Sequence, residues 1–169
     1  MEGGTEGIGS AVEEGEGLEA STTDLCREGR ALTIIGDHEE LRETLKKSRT
    51  VAVVGICPDP RRPSYFVSEV VKRYGFKIHL INPEHQGEEV LGEKVLASLR
   101  EVPEVIDIVV VFRRPEAVVD LAEEARKIGF GTFWLQPETE NWDVIRALDR
   151  EGRAVVPGIC IKTCCQLLL

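Results

Sequence analysis

The sequence has no surplus of positive charge, no long hydrophobic run, no paired-cysteine motif and neither of the two commonest nucleotide fingerprints. Each absence removes a class of function. Of 169 residues, 21 are lysine or arginine and 30 are aspartate or glutamate, for a net charge of −9. A nucleic-acid binder needs a dense basic face to neutralise phosphates, so that class is disfavoured. The most apolar stretch, IDIVVVF at residues 106–112, is too short to cross a bilayer, so no membrane partner is expected. No basic segment followed by an apolar one opens the sequence, so no signal peptide is expected and a soluble, cytoplasmic protein is the expectation.

The sequence is equally sparing with catalytic and metal-binding patterns. Cys160, Cys164 and Cys165 lack the C-x-x-C pairing of structural zinc sites, so the five cysteines read as reduced thiols and no metal is assigned. His38, His79 and His85 have no carboxylate at motif spacing, and no G-x-S-x-G occurs. No catalytic residue is assigned on these grounds.

What the sequence does contain is organised around residues 50–65. Val51, Ala52, Val53 and Val54 run into Gly55, the pattern of a strand buried on both faces of a parallel sheet. Three prolines fill the loop that follows, and Ser64 then opens a segment with apolar residues at 66, 67, 70, 71 and 74. This spacing predicts a helix over 64–74, capped by the serine. A strand, a glycine turn and a helix N-terminus make an anion-binding corner, and Arg61 and Arg62 add two cations beside it.

The remaining elements follow the same alternation. Asp37 and Glu40 form a capping-box pattern ahead of a short helix carrying Leu41 and Leu45. Strands are expected at 76–81, 105–112, 132–135 and 154–156, with a short edge strand near Lys94 and Val95 and a helical turn at 97–100. Helices are expected at 116–128, with Pro115 in the first turn, and at 141–150, with Trp142, Ile145 and Leu148 on one face. Such βαβ repetition implies an α/β, Rossmann-like, doubly wound architecture: a mainly parallel sheet of five or six strands in three layers. The loops after 51–55 and 105–111 should then adjoin, with Gly55, Ile56 and Cys57 facing Phe112, Arg113 and Arg114. Residues 1–30 hold eight acids, two bases and seven of the sixteen glycines, and are expected to form a disordered acidic tail ahead of one domain at 31–169.

A dinucleotide site would need G-x-G-x-x-G and an acid at the end of the second strand. Only Gly55 occupies the turn, and Asn82 stands where the acid belongs. There is no P-loop motif either. Taken together, VAVVGICPDPRRPSYFV, INP, VLGEKV, DIVVVFRRPEAV and WLQ resemble the small stand-alone CoA-binding proteins, whose fold is similar to the CoA-binding domain of succinyl-CoA synthetase α. The resemblance covers about residues 38–162. It implies CoA as the cofactor, with its phosphates on a loop lined by Gly55, Ile56, Cys57, Arg62, Pro63 and Ser64. It also implies an adenine-ribose end near Asn82 and Pro83, a wall of Phe112, Arg113 and Arg114, and Leu135 and Gln136 beside the pantetheine arm. The family commonly carries an apolar residue and a glycine after WLQ, where this chain has Pro137 and Glu138. The function so implied is a CoA or acyl-CoA binding module with a small-molecule nucleotide ligand and room for a protein partner. Two alternatives use the same fold: an enzyme dependent on NAD(P) or acyl-CoA, and a degenerate Rossmann domain kept for protein contacts.

Overall fold

The computed structural model describes residues 33–169, and the expected acidic tail at 1–30 lies outside the described residues. Five strands form one parallel sheet: β1 Thr50–Val54, β2 Lys77–Ile81, β5 Ile108–Val111, β6 Thr132–Leu135 and β7 Ala154–Val156. Their order is β2-β1-β5-β6-β7, which gives the lower of the two expected strand counts. A separate antiparallel hairpin joins β3 Glu89–Val90 to β4 Glu93–Lys94. Its two turn residues, Leu91 and Gly92, both have positive φ (53° and 76°), the signature of a tight two-residue hairpin turn.

The strand sequences explain the layering. Side chains alternate between the faces of a strand, so a continuous apolar run feeds two cores at once. Val51, Val53, Ile108, Val110 and Trp134 enter one core, with Leu41 and Leu45 of α1 (His38–Lys47), Val67 and Val71 of α2 (Pro63–Arg73), and Ile161, Cys164 and Cys165 of α5 (Ile161–Leu168). Ala52, Val54, Val109, Val111, Phe133 and Leu135 enter the other, facing α3 (Val118–Ile128) and α4 (Trp142–Arg150). The result is the three-layer, Rossmann-like α/β fold that the alternation implies. No helix among the described residues is long and apolar enough to cross a membrane.

Several boundaries differ from expectation for identifiable reasons. Helix α2 starts at Pro63 rather than Ser64, because proline has no N–H to lose at the first helical position. Arg62 is the N-cap residue and its side chain makes no capping bond; the Ser64 hydroxyl instead accepts from the Cys57 backbone N–H at 3.0 Å. Trp142 is 55% exposed, since Val144, Ile145 and Leu148 form the buried face of α4. Pro115–Ala117 form a 3-10 turn before α3 begins. Helix α5 was not expected, although Ile161, Cys164, Cys165 and Leu168 have helical spacing.

The strand switch between β1 and β5 depends on one glycine. Gly55 has φ +95°, and a Cβ there would come within 2.9 Å of the Phe112 carbonyl carbon and closer still to its oxygen. Gly55→Ala should therefore destabilise the fold by at least about 2 kcal/mol, combining a left-handed penalty with a backbone collision. Urea unfolding checks this, and an unchanged midpoint would mean that the two loops part freely.

Burial on α5 also fixes the chemistry of its thiols. Cys164 is pushed up to about 11 and Cys165 to about 12, in both cases chiefly by desolvation. At pH 8 both remain protonated in the native state, and the thiolate is the reactive form. Alkylation of the native protein at that pH, read by peptide mass mapping, should mark Cys57 and Cys160 well before Cys164 and Cys165. Because these two pKa values are raised, their contribution to stability is complete below about 9 and is lost as pH rises from there toward 12.

Candidate functional site

In a parallel sheet the strands end on a common edge, and ligands collect where the order reverses. Here the loops leaving β1, β5 and β6, with the start of α5, border a cleft of about 780 Å³. This is about twice the volume of two other hollows, of about 390 and 400 Å³, among the described residues.

Of the expected site residues, Gly55, Cys57, Arg62, Pro63, Ser64, Phe112, Arg113, Arg114 and Gln136 line this cleft. Four do not. Ile56 and Leu135 are fully buried in the two cores, and Pro83 is exposed in the turn after β2. Asn82 is buried and structural: its Nδ2 donates to the Ile56 carbonyl at 2.8 Å, while its Oδ1 accepts from the Glu84 N–H at 3.1 Å and from Arg113 Nη2 at 3.4 Å. Leu135 is the last residue of β6, and strand alternation turns it into a core, while Ile56 lies past the end of β1 and packs into the opposite core.

The structure separates the two adjacent arginines. Arg61 is held by Asp59 through two bonds, Nε to Oδ1 at 3.0 Å and Nη2 to Oδ2 at 2.9 Å, and does not line the cleft. The Arg61 side chain, then its backbone N–H, holds the Asp59 carboxyl below its ordinary range. Asp59 therefore occupies one cation of the pair and leaves the other. Arg62, Arg113, Arg114 and Lys162 all line the cleft, and none forms a salt bridge among the described residues, although the charge of Arg62 also acts on Asp59.

Two helices begin at the cleft, α2 beside Arg62 and α5 after Cys160, and neither has a side-chain cap. Their starts lie close together, since Lys162 Nζ stands 5.3 Å from the centre of the Phe66 ring. The Ser64 hydroxyl, by accepting from Cys57, keeps its own proton free to donate. Phe66, Val67, Pro115 and Pro137 add apolar wall, and Thr139, Cys160 and Thr163 add small polar groups. The arrangement can hold an elongated anion with an apolar portion. Cys160 and Lys162 line the cleft without being among the expected site residues, and the helical spacing of Ile161, Cys164, Cys165 and Leu168 is the signal that would have placed them at a helix start.

Comparison with known proteins shows the family and the fold. A family model described as "CoA binding domain" matches residues 49–166. An uncharacterized protein of Bacillus subtilis, YneT, is 38% identical over 123 residues, covering 73% of this chain and 90% of that protein. A solved structure from Thermus thermophilus, cell-free ID.343, superposes with a TM-score of 0.76 at 34% identity, covering 79% of this chain and all of the other. The alpha subunit of an ADP-forming acetate–CoA ligase II from Pyrococcus furiosus is 27% identical over 124 residues, 67% of this chain but only 27% of that subunit. Matched by the family model over most of its length, the chain belongs to the CoA binding domain family.

Proposed function

We propose that the protein binds CoA or an acyl-CoA in the cleft at the strand ends, as a binding module. The observation that carries this reading is the gathering of four cations that form no salt bridge among the described residues, Arg62, Arg113, Arg114 and Lys162, in one cleft with the uncapped start of α2. Backbone N–H groups at a helix start and its dipole favour phosphate, and arginine forks match phosphate oxygens. CoA carries a pyrophosphate and a 3′-phosphate, so it uses several cations where a simple carboxylate ligand would use one.

The end of β2 argues in the same direction. An NAD ribose calls for a carboxylate there, and the residue present is an asparagine whose amide is already engaged with Ile56, Glu84 and Arg113. The P. furiosus relative is a ligase subunit by name, but this chain spans 27% of it. We therefore propose the ligand-holding part of such a protein and no reaction of its own.

Isothermal calorimetry tests the reading with CoA, NAD and ATP, and CoA should bind tightest. Arg62→Ala should weaken CoA about tenfold, corresponding to about 1.5 kcal/mol for a hydrogen bond to a charged group, with little change in stability. Arg61→Ala is the control, since Asp59 already engages that side chain, and it should bind CoA like the wild type. NAD binding tighter than CoA, or Arg62→Ala binding CoA unchanged, would overturn the assignment.

A further inference from the structure

One lining residue runs against the character of the site. Among the described residues Glu138 is the only acid lining the cleft, whose other charged lining residues are Arg62, Arg113, Arg114 and Lys162. It is exposed, and its carboxylate has no partner among the described residues. Its backbone is unusual as well: φ is +70°, a left-handed conformation that glycine adopts without cost and a side-chain-bearing residue does not.

The turn around it explains how that conformation is kept. The Thr139 N–H donates to the Gln136 carbonyl at 3.1 Å, and the Thr139 hydroxyl donates to the same oxygen at 2.7 Å. Pro137 then occupies the second turn position and Glu138 the third, where a type II turn requires positive φ. A glycine would meet that requirement at no strain. A glutamate held there against its conformational preference, with no partner among the described residues, places a carboxylate at the ligand's edge of the fold.

We infer that Glu138 sets acyl selectivity, disfavouring thioesters whose acyl group ends in a carboxylate and leaving free CoA and uncharged short acyl groups as the ligands. This rests on the CoA reading above. Phosphates are repelled by Glu138 and drawn to the cations at the β1 and β5 loops, so the polyphosphate end of the ligand lies there. The turn carrying Glu138 follows β6, which pairs with β5 and lies two strands, about 10 Å, from β1, so the phosphates farthest from Glu138 are those at the β1 loop and the start of α2. The long pantetheine arm spans that interval and carries its terminal sulfur toward Glu138. An acyl group with a distal carboxylate then brings two negative charges together, whereas an acetyl group does not.

Calorimetry with acetyl-CoA and succinyl-CoA tests the inference on the wild type and on Glu138→Gln, which removes the charge and keeps the shape. The wild type should bind succinyl-CoA about two- to fivefold more weakly than acetyl-CoA, the range of an exposed charge pair. Glu138→Gln should bring that ratio close to one, and raising the salt concentration should shrink it in the wild type alone. Glu138→Gly gives a second readout, because removing the strained side chain should also raise the melting temperature while abolishing the selectivity. A wild type that binds CoA with an acetyl-to-succinyl ratio unchanged by Glu138→Gln overturns this inference and leaves the CoA reading standing. A wild type that binds no CoA overturns both.

Discussion

The loops that leave β1 and β5 meet backbone to backbone at Gly55, and the rest of the site takes its position from that contact. The Phe112 carbonyl occupies the space where any Cβ at residue 55 would lie. Because the two strands are neighbours with crossovers running to opposite faces, their loops diverge immediately beyond this point. One leads through Asp59 and Arg62 to α2, and the other through Arg113 and Arg114 to the turn before α3. The opening between them is the cleft, and its depth depends on how closely the two backbones approach at its floor.

Much of this was legible in the sequence because buried parallel strands write an unmistakable pattern. The runs at Val51–Val54 and 108–111 alternate sides in the structure, as residues of buried strands do. The failures have a common origin in side-chain choices that spacing does not reveal. Ser64 looks like a helix cap but serves the Cys57 N–H, because Pro63 already opens the helix. Arg61 and Arg62 read alike as loop cations; the resemblance names Arg62 alone, and the position of Asp59 supplies the physical reason, holding Arg61 in an ion pair while Arg62 lines the cleft. Helix α5 was obscured because two of its core positions are cysteines. Nothing in the sequence states that Glu138 takes a left-handed backbone, since that depends on the bonds Thr139 makes to Gln136.

Charge is distributed in the molecule by the same kind of local pairing. Arginines away from the cleft are largely engaged: Arg126 binds Glu123 and Glu151, Arg153 binds Glu151, and Arg73 lies beside Glu69. Glu151 is correspondingly held below its ordinary range, chiefly by its hydrogen bond to Arg126. Against that background, four cations gathered with a single acid, Glu138, among the described lining residues form a local positive field in a chain whose net charge is −9. Such a field raises the concentration of an anionic ligand at the cleft while the rest of the surface repels it.

The amide of Asn82 closes off one evolutionary route. Its nitrogen must donate to the Ile56 carbonyl, and its oxygen must accept from Glu84 and Arg113, so both ends of the side chain are committed with opposite polarity. A carboxylate substituted there would turn a lone pair on the Ile56 oxygen, inside a buried pocket, and disturb the floor on which Arg113 rests. Acquiring the acid that dinucleotide-binding folds use at this position is therefore not a one-residue step for this chain. It would first have to rebuild the junction between β2 and the β1 loop, and until then the geometry that supports the cleft also restricts what the cleft can become.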